Sequence, residues 1–313
     1  VEDVIMGAAV QQGTQGYNIG RLCAYTGGLP NSAAGMAVDR MCASGLMAIA
    51  EAAKAIMCGE ADVAIGGGVE SLSLTQNKHK NAYRARSEAV IAAAPAAYIP
   101  MIETAEIVAE RYNISRDAQD AYALQSQQRT AEAQAAGRFD DEIVPLKATK
   151  KLFERDGTPA GEEEVIADKD ECNRASTTLE GLQGLKPVWK DGDWIKEGKN
   201  VTAGNASQFS DGAAACLLMS REEADRRGLA PLGIYRGVAV AGCGPEEMGI
   251  GPVYAIPKLL KQHGLSVDDI GLWEINEAFA SQVLYCRDHL GIDNDKLNVN
   301  GGAISIGHPF GMS

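Results

Sequence analysis

No apolar stretch in this sequence is long enough to cross a bilayer. The longest, residues 89–94 and 212–219, fall far short of the ~20 residues that a spanning helix needs, and neither carries the flanks of a signal peptide. Positive charge is scarce as well. Lys and Arg number 29 against 42 Asp and Glu, a net charge of −13, so the surface as a whole repels phosphate backbones. No basic stripe is present to bind nucleic acid. A small phosphorylated ligand is still compatible with this charge, because a few local Lys or Arg residues and helix N-termini hold one against the global field. The seven cysteines form no Cys-x-x-Cys pair, which argues against a disulfide framework and against a zinc site, and points to a reducing compartment. Glycine-rich turns occur, but none is followed by an acidic residue at the strand, turn and helix spacing of a dinucleotide fingerprint.

What is present is a chain of 313 residues with 45% hydrophobic side chains, enough for a sizeable core in one large or two ordinary domains. The opening Val1-Glu-Asp-Val-Ile-Met-Gly reads as the end of a helix–strand unit, and the natural polypeptide is expected to extend beyond both ends. Residues 18–26 read as a short helix and 35–39 as a buried strand. Residues 42–58 are rich in Ala and Met, with apolar positions three and four apart, and stop at Gly59: a buried helix. Ala61-Asp-Val-Ala-Ile-Gly-Gly-Gly is then a short strand entering a turn, which gives the strand, helix, strand order of an α/β layer fold. From about 71 to 200 charge density rises, and Ser115 caps a long helix to about Ala136, so this stretch reads as an insertion. Strands are expected again at 213–219 and 233–242, a helix at 253–263, and a strand turning into a helix at Trp273-Glu-Ile-Asn-Glu-Ala-Phe-Ala.

Two such strand-to-helix junctions, around Cys42 and around Asn276, mark the edge at which α/β folds place their sites. Cys42 stands at a helix start, where backbone N–H groups and the helix dipole favour a thiolate and are expected to lower its pKa. An ordinary buried cysteine is the competing reading. His308, set between glycine turns and a proline, is presented by its backbone, or else is a satisfied structural histidine. His79, His263 and His289 sit in charged or amphipathic surroundings and read as surface residues. Asn276 and Glu277 read locally as a helix N-cap and a first-turn acid. With a reactive cysteine and histidine nearby, Asn276 could instead orient a water toward a thioester oxygen.

As an ordered set, the motifs resemble the thiolase family over essentially the whole chain. They are Cys42-Ala-Ser-Gly-Leu, Gly66-Gly-Gly-Val-Glu-Ser, Thr202-Ala-Gly-Asn-Ala-Ser with Asp211-Gly-Ala-Ala, Met248-Gly-Ile-Gly-Pro, Asn276-Glu-Ala-Phe-Ala, and Asn300-Gly-Gly-Ala with Gly307-His-Pro. The resemblance implies an α/β, five-layer fold of two similar halves with an inserted loop domain. It would place the first half at 1–72 and 204–227, the insertion at 73–203 and the second half at 228–313. It implies an acyltransferase of lipid metabolism and fatty acid β-oxidation that cleaves 3-ketoacyl-CoA with coenzyme A or condenses two acyl-CoA units. Cys42 would carry the acyl group, His308 would activate it, and Asn276 with His308 would hold the thioester oxygen. Ser207 and Ala203 would border the pantetheine, Met248 and Phe279 line the acyl end, Met101 touch the substrate and Lys186 meet the nucleotide phosphate.

Coenzyme A and acyl-CoA are expected as substrates, with no permanently bound cofactor and no metal. The expected assembly is a homodimer or homotetramer in the cytoplasm. Two departures from the family pattern stand out. Pro100-Met-Ile-Glu replaces the His-Met-Gly of many biosynthetic thiolases, which points to a 3-ketoacyl thiolase of broader substrate range. The family's second catalytic cysteine, in a Cys-x-Gly-Gly-Gly loop after Gly-His-Pro, has no counterpart, since Cys243 and Cys286 both precede that motif. A β-ketoacyl synthase is the nearest alternative enzyme, but it would carry a second catalytic histidine that Asn276-Glu-Ala-Phe does not supply. A non-catalytic acyl-CoA carrier is the other, and such a protein is expected to have lost Cys42 or His308.

Overall fold

A computed structural model of the chain describes all residues 1–313. In chain order its elements are β1 (Asp3–Gly7), α1 (Ile19–Thr26), β2 (Ala34–Val38), α2 (Ser44–Met57), β3 (Val63–Ser71), α3 (Leu72–Thr75), α4 (Glu88–Ala93), α5 (Met101–Arg111) and α6 (Arg116–Ala135). They continue with β4 (Leu146–Phe153), β5 (Pro159–Ala167), α7 (Leu179–Gln183), β6 (Asp211–Met219), α8 (Arg221–Arg227), α9 (Pro252–His263), α10 (Ala280–Leu290) and α11 (Ala303–Ile306). Two compact units result. The first is built from Val1–Thr104, Phe209–Val267 and His308–Ser313, the second from Ala105–Gln208 and Asp268–Gly307.

The first unit is organised by a four-stranded sheet in the order β2-β1-β3-β6, in which β1 is parallel to both neighbours and β6 is antiparallel to β3. Successive residues of β1 point to opposite faces. Ile5 packs with Ala48, Ala52 and Ala64 on the side of α2, while Val4 and Met6 pack with Ala24 of α1 on the other. Helix α2 forms because alanine is the best helix former, and its small side chains let its backbone approach the sheet. It stops where expected, with Gly59 at a φ of 74°, a left-handed conformation that glycine adopts without a Cβ clash. The expected elements at 18–26, 35–39, 61–68, 213–219 and 253–263 are all present, but the strand at 35–39 is not buried as expected: as an edge strand of the sheet it leaves Ala34 and Met36 exposed. The expected strand at 233–242 is not: its backbone joins no ladder, and Leu232 and Ile234 are exposed. An apolar, β-branched run becomes a strand only where another strand takes up its hydrogen bonds.

The second unit is organised by α6, whose Ser115 cap accepts a hydrogen bond from the Ala118 amide at 3.2 Å, as the sequence suggested. The face that α6 buries is largely polar: Gln119, Asp120, Ser126, Gln127 and Thr130, with Tyr122 and Ala123. Strands β4 and β5 form an exposed antiparallel hairpin. The expected strand at Trp273 reduces to one bridging pair with Leu297. The following helix opens at Ala280, not at Asn276, with Phe279 as its N-cap residue. Residues 276–278 remain irregular because their backbone is held by the 202–208 loop: Ser207 N–H donates to Ala278 O, and Ala280 N–H donates to Asn205 O, each at 2.9 Å.

The approach of α2 to β1 gives a test of the first unit. A Cβ on Gly7 would overlap the Ser44 carbonyl carbon and the Gly45 amide nitrogen, backbone atoms that cannot swing aside. Gly7→Ala is therefore expected to lower unfolding free energy by about 3 kcal/mol in urea titrations. Gly233→Ala, whose added methyl meets nothing within 4 Å, should leave it unchanged.

Candidate active site

Cys42 lies in the short loop between β2 and α2, two residues before the helix begins. The loop is held by its own polar atoms. The Asp39 carboxylate accepts from the Met41 amide at 2.7 Å, and Ser44 Oγ accepts from the Arg40 amide at 2.8 Å while donating to Met41 O at 2.6 Å. Met41 takes a φ of 49°, an uncommon conformation for a residue with a side chain. It turns the chain sharply just ahead of Cys42.

The stretch that carries His308 belongs to the same unit. His308 is buried, pairs with Phe209 through the backbone and lies 5.3 Å, ring to ring, from Phe310. Just beyond it the chain passes over the start of α2 and over β3, where Gly45 and Gly68 leave room for the Met312 main chain. Glu70, near the end of β3 and 1% exposed, fixes this arrangement. Its carboxylate accepts from the amides of Ala9 at 2.7 Å, Val10 at 3.3 Å and Gly311 at 2.9 Å, and from the Gln15 side-chain amide.

The electrostatics of this unit correct one sequence expectation. The Cys42 thiol is not lowered toward a thiolate but pushed up to about 11, first by burial and then by the negative charges of Glu70 and Asp39. Desolvation and two nearby carboxylates outweigh the helix-terminus effect, which is modest. Burial lowers His308 to about 4. At neutral pH the two groups are therefore a thiol and an uncharged imidazole. No group of three His, Cys, Asp or Glu side chains could hold a metal ion.

In the second unit Asn276 is exposed, whereas Glu277 beside it is buried and hydrogen-bonded four times over. Tyr122 OH donates to it at 2.8 Å, Ser126 OH at 2.7 Å, Asn298 Nδ2 at 2.9 Å and the Ile304 amide at 3.2 Å. Glu277 is thus the anchor of the turn that carries Asn276 and not a first-turn acid. Its charge, after burial, raises Tyr122, and it raises Glu274 likewise. The loop with Ala203 and Ser207 runs along residues 278–280, and Ala206 bridges to Phe279. The second unit therefore lays Ser207 beside Ala278 and Phe279, two and three residues after Asn276. Lys186 is exposed there, next to Leu185, which packs against Gly204. Met101 and Met248 are partly buried in the first unit, at the start of α5 and in the turn before α9. His79, His263 and His289 are exposed, as expected.

Sequence reasoning missed Glu70 and Glu277 as structural centres, together with Glu106, which accepts from the amides of Asn200 and Val201. A signal existed. Each of the first two is the lone charge in a run of small or apolar residues, Gly66-Gly-Gly-Val-Glu and Glu277-Ala-Phe-Ala, where a charge survives only if it is hydrogen-bonded.

Comparison with known proteins identifies the family. Residues 1–222 match the family model described as thiolase, N-terminal domain, and residues 229–313 the one described as thiolase, C-terminal domain. The chain is 47% identical to a 3-ketoacyl-CoA thiolase of Bacillus subtilis (strain 168), over all of this chain and 78% of the relative. It is 44% identical to the peroxisomal 3-ketoacyl-CoA thiolase 2 of Arabidopsis thaliana, spanning 65% of that protein's length. The solved dimeric peroxisomal thiolase of Saccharomyces cerevisiae superposes with a TM-score of 0.84 at 39% identity, covering 100% of this chain and 75% of that one. This chain belongs to the thiolase family. Its α/β fold is that family's, and by class it is an acyltransferase.

The shifted ionisations of His308 and Cys42 make stability depend on pH in a defined way. His308 binds its proton near pH 6.5 when unfolded but only near 4 in the fold. The unfolded state therefore holds more protons in that window, and stability falls as pH drops through it, by about 3 kcal/mol in total. The raised Cys42 acts in the opposite limb: stability is lost as pH rises from the ordinary thiol range toward 11. Urea titrations from pH 4 to pH 10.5 should show a plateau between these limbs, with His308→Gln flattening the acid one and Cys42→Ser the alkaline one.

Proposed function

We propose that this chain is a 3-ketoacyl-CoA thiolase working through an acyl-enzyme on Cys42. The observation that carries the reading is that Cys42, just before the start of α2, and the buried His308 belong to one compact unit of a chain of the thiolase family. In thiolysis the Cys42 sulfur attacks the 3-keto carbonyl as its proton passes to the His308 imidazole. The bond between C2 and C3 then breaks. Acetyl-CoA leaves as its enolate and takes up a proton from the family's second cysteine, which is re-protonated at the expense of His308, so Cys42 is left as a thioester beside an imidazole that is again uncharged. The thiol of coenzyme A then attacks this thioester, giving its proton to His308, which returns it to the departing Cys42 sulfur, so an acyl-CoA two carbons shorter departs and the Cys42 thiol is regenerated. Asn276 holds the thioester oxygen through a water. Condensation of two acyl-CoA units is the same sequence reversed.

Substrate contacts follow the family pattern: Ser207 and Ala203 along the pantetheine, Met248, Phe279 and Met101 toward the acyl group, Lys186 at the nucleotide phosphate. Coenzyme A thioesters are the substrates and no resident cofactor is needed. The reading keeps 1–72 with 204–227 as the first half, 73–203 as the inserted loop domain and 228–313 as the second half, supported by family matches that meet between residues 222 and 229. A homodimer is favoured by the dimeric yeast relative, with a homotetramer as the larger alternative. The cytoplasm is the proposed compartment. Pro100-Met101-Ile-Glu at the start of α5 supports chains longer than acetoacetyl.

Incubation with acetyl-CoA followed by peptide mass mapping should place the acetyl group on Cys42, and acetylation of another cysteine with Cys42 free would refute the mechanism. His308→Ala should slow this acylation by ~10² to 10⁴ while coenzyme A affinity barely changes. The wild-type acylation rate should hold as pH falls past 6 and decline only toward pH 4, since His308 stays uncharged until then. A panel of thioesters from acetoacetyl-CoA to long-chain 3-ketoacyl-CoA should show comparable rates for the longer members, and activity on acetoacetyl-CoA alone would contradict the broad range.

A further inference from the structure

We propose that Glu70 is a positioning residue for acyl transfer: its buried carboxylate sets where the His308-bearing segment lies over the start of α2 and fixes a negative charge beside Cys42. The inference rests on the acyl-cysteine reading above. Glu70 does not touch substrate in this role, and its effect passes through two other residues.

The geometry comes first. One carboxylate oxygen, Oε2, accepts from the Ala9 amide at 2.7 Å and from the Gly311 amide at 2.9 Å. It joins the loop after β1 to the segment three residues past His308. The other oxygen, Oε1, accepts from the Val10 amide at 3.3 Å and from Gln15 Nε2. Every partner is a donor, so the site is built for a carboxylate, which accepts at both oxygens, and not for an amide or a protonated acid. The orientation of Gln15 is itself determined. Its Oε1 accepts from the Ser71 amide and its Nε2 also donates to Val10 O at 2.8 Å, so only the NH₂ end faces Glu70. No Lys or Arg forms an ion pair with Glu70, and four neutral donors alone compensate its charge.

Gly311 cannot shift to find another partner, because its Cα is pressed against the Ala8 and Ala9 backbone, where a Cβ would overlap. The Gly311 amide is thereby fixed over Glu70 and sets the height of the turn that begins at His308. Through space, the same carboxylate opposes ionisation of Cys42, with Asp39 as the other acidic neighbour and burial as the larger cause. Charge and reach are separable properties of one side chain, so they can be tested apart.

Two variants of the full chain make the test, with alkylation of Cys42 by iodoacetamide followed from pH 6 to pH 11 by peptide mass mapping, and acylation by acetyl-CoA measured beside it. Glu70→Gln removes the charge and turns one acceptor into a donor facing donors. Its Cys42 alkylation midpoint should fall by at least about half a unit, since a nearby like charge no longer opposes the thiolate, and acylation should slow tenfold or more. Glu70→Asp keeps the charge but draws it back by one methylene, so it cannot span Ala9 and Gly311 together. Its alkylation midpoint should stay at the wild-type value, while kcat for acylation falls by roughly tenfold to a hundredfold, as a displacement near 1 Å can cause, with KM for acetyl-CoA unchanged.

If Glu70→Gln fails to fold, Glu70→Asp alone decides: a wild-type acylation rate in it would overturn the proposal. So would a Glu70→Gln variant that folds and keeps both the wild-type midpoint and the wild-type rate. Alkylation requires no acyl transfer. Should wild-type Cys42 alkylate normally yet never acquire an acetyl group, the acyl-cysteine reading fails, and the charge effect of Glu70 is still measured by the shift of the midpoint.

Discussion

The constraint on which this structure depends is the burial of carboxylates without cations. Glu70, Glu106 and Glu277 are each about fully buried, and none is paired with Lys or Arg. A lone ion in a protein interior is expensive unless hydrogen bonds replace its hydration. Here backbone amides, hydroxyls and side-chain amides do so, and the donors come from segments far apart in sequence. Glu70 joins residues 9–15 to 311, Glu106 holds 200–201, and Glu277 joins 122 and 126 to 298 and 304. Because hydrogen bonds to charged groups are directional and strong, each centre fixes turns that the irregular chain could not fix by its own propensity.

That constraint explains why Cys42, His308 and Asn276 are carried by irregular backbone yet held in place. Cys42 sits in a turn, His308 follows Gly307 in a φ of 91°, and Asn276 precedes α10 by four residues. None is part of a helix or strand. Each is adjacent in sequence or space to one of the buried carboxylates or to a residue that one of them holds. Rigid elements supply the frame, and the carboxylates fix the turns between them.

Much of the architecture was legible because its periodicity was simple. The Ala-rich helix α2, its stop at Gly59 and the strands on either side follow from apolar spacing and glycine chemistry, and the Ser115 cap followed from one residue type. The ordered motifs likewise pointed to the family. What was not legible in α6 and α10 has one physical origin. The sequence of helix α6 does not reveal which face it buries, because its buried side is Gln119, Asp120, Ser126, Gln127 and Thr130. That stripe is buried because it faces polar partners: Asp120 accepts from Asn205 at 2.9 Å, and Ser126 donates to Glu277. Burial of paired polar groups has no apolar period to detect. The same blindness moved the start of α10 back to Asn276, since Glu277 looks like a helix-opening acid until its four donors are in view; the strand expected at 233–242 failed for a separate reason, because no other strand offers that apolar run a ladder.

The protonation state of Cys42 was misjudged for a related reason: a helix start was visible in the sequence, but the charges folded around it were not. The dipole of α2 favours the thiolate by at most a modest amount, while Glu70 and Asp39 oppose it and burial opposes it further. The outcome is chemically coherent. Oxidation and adventitious alkylation follow thiolate character, so a cysteine kept as a thiol is protected from small electrophiles. The negative charges of Glu70 and Asp39 therefore slow indiscriminate chemistry at the Cys42 sulfur, and on the acyl-cysteine mechanism proposed above its reaction with a thioester then depends on a base to take the proton.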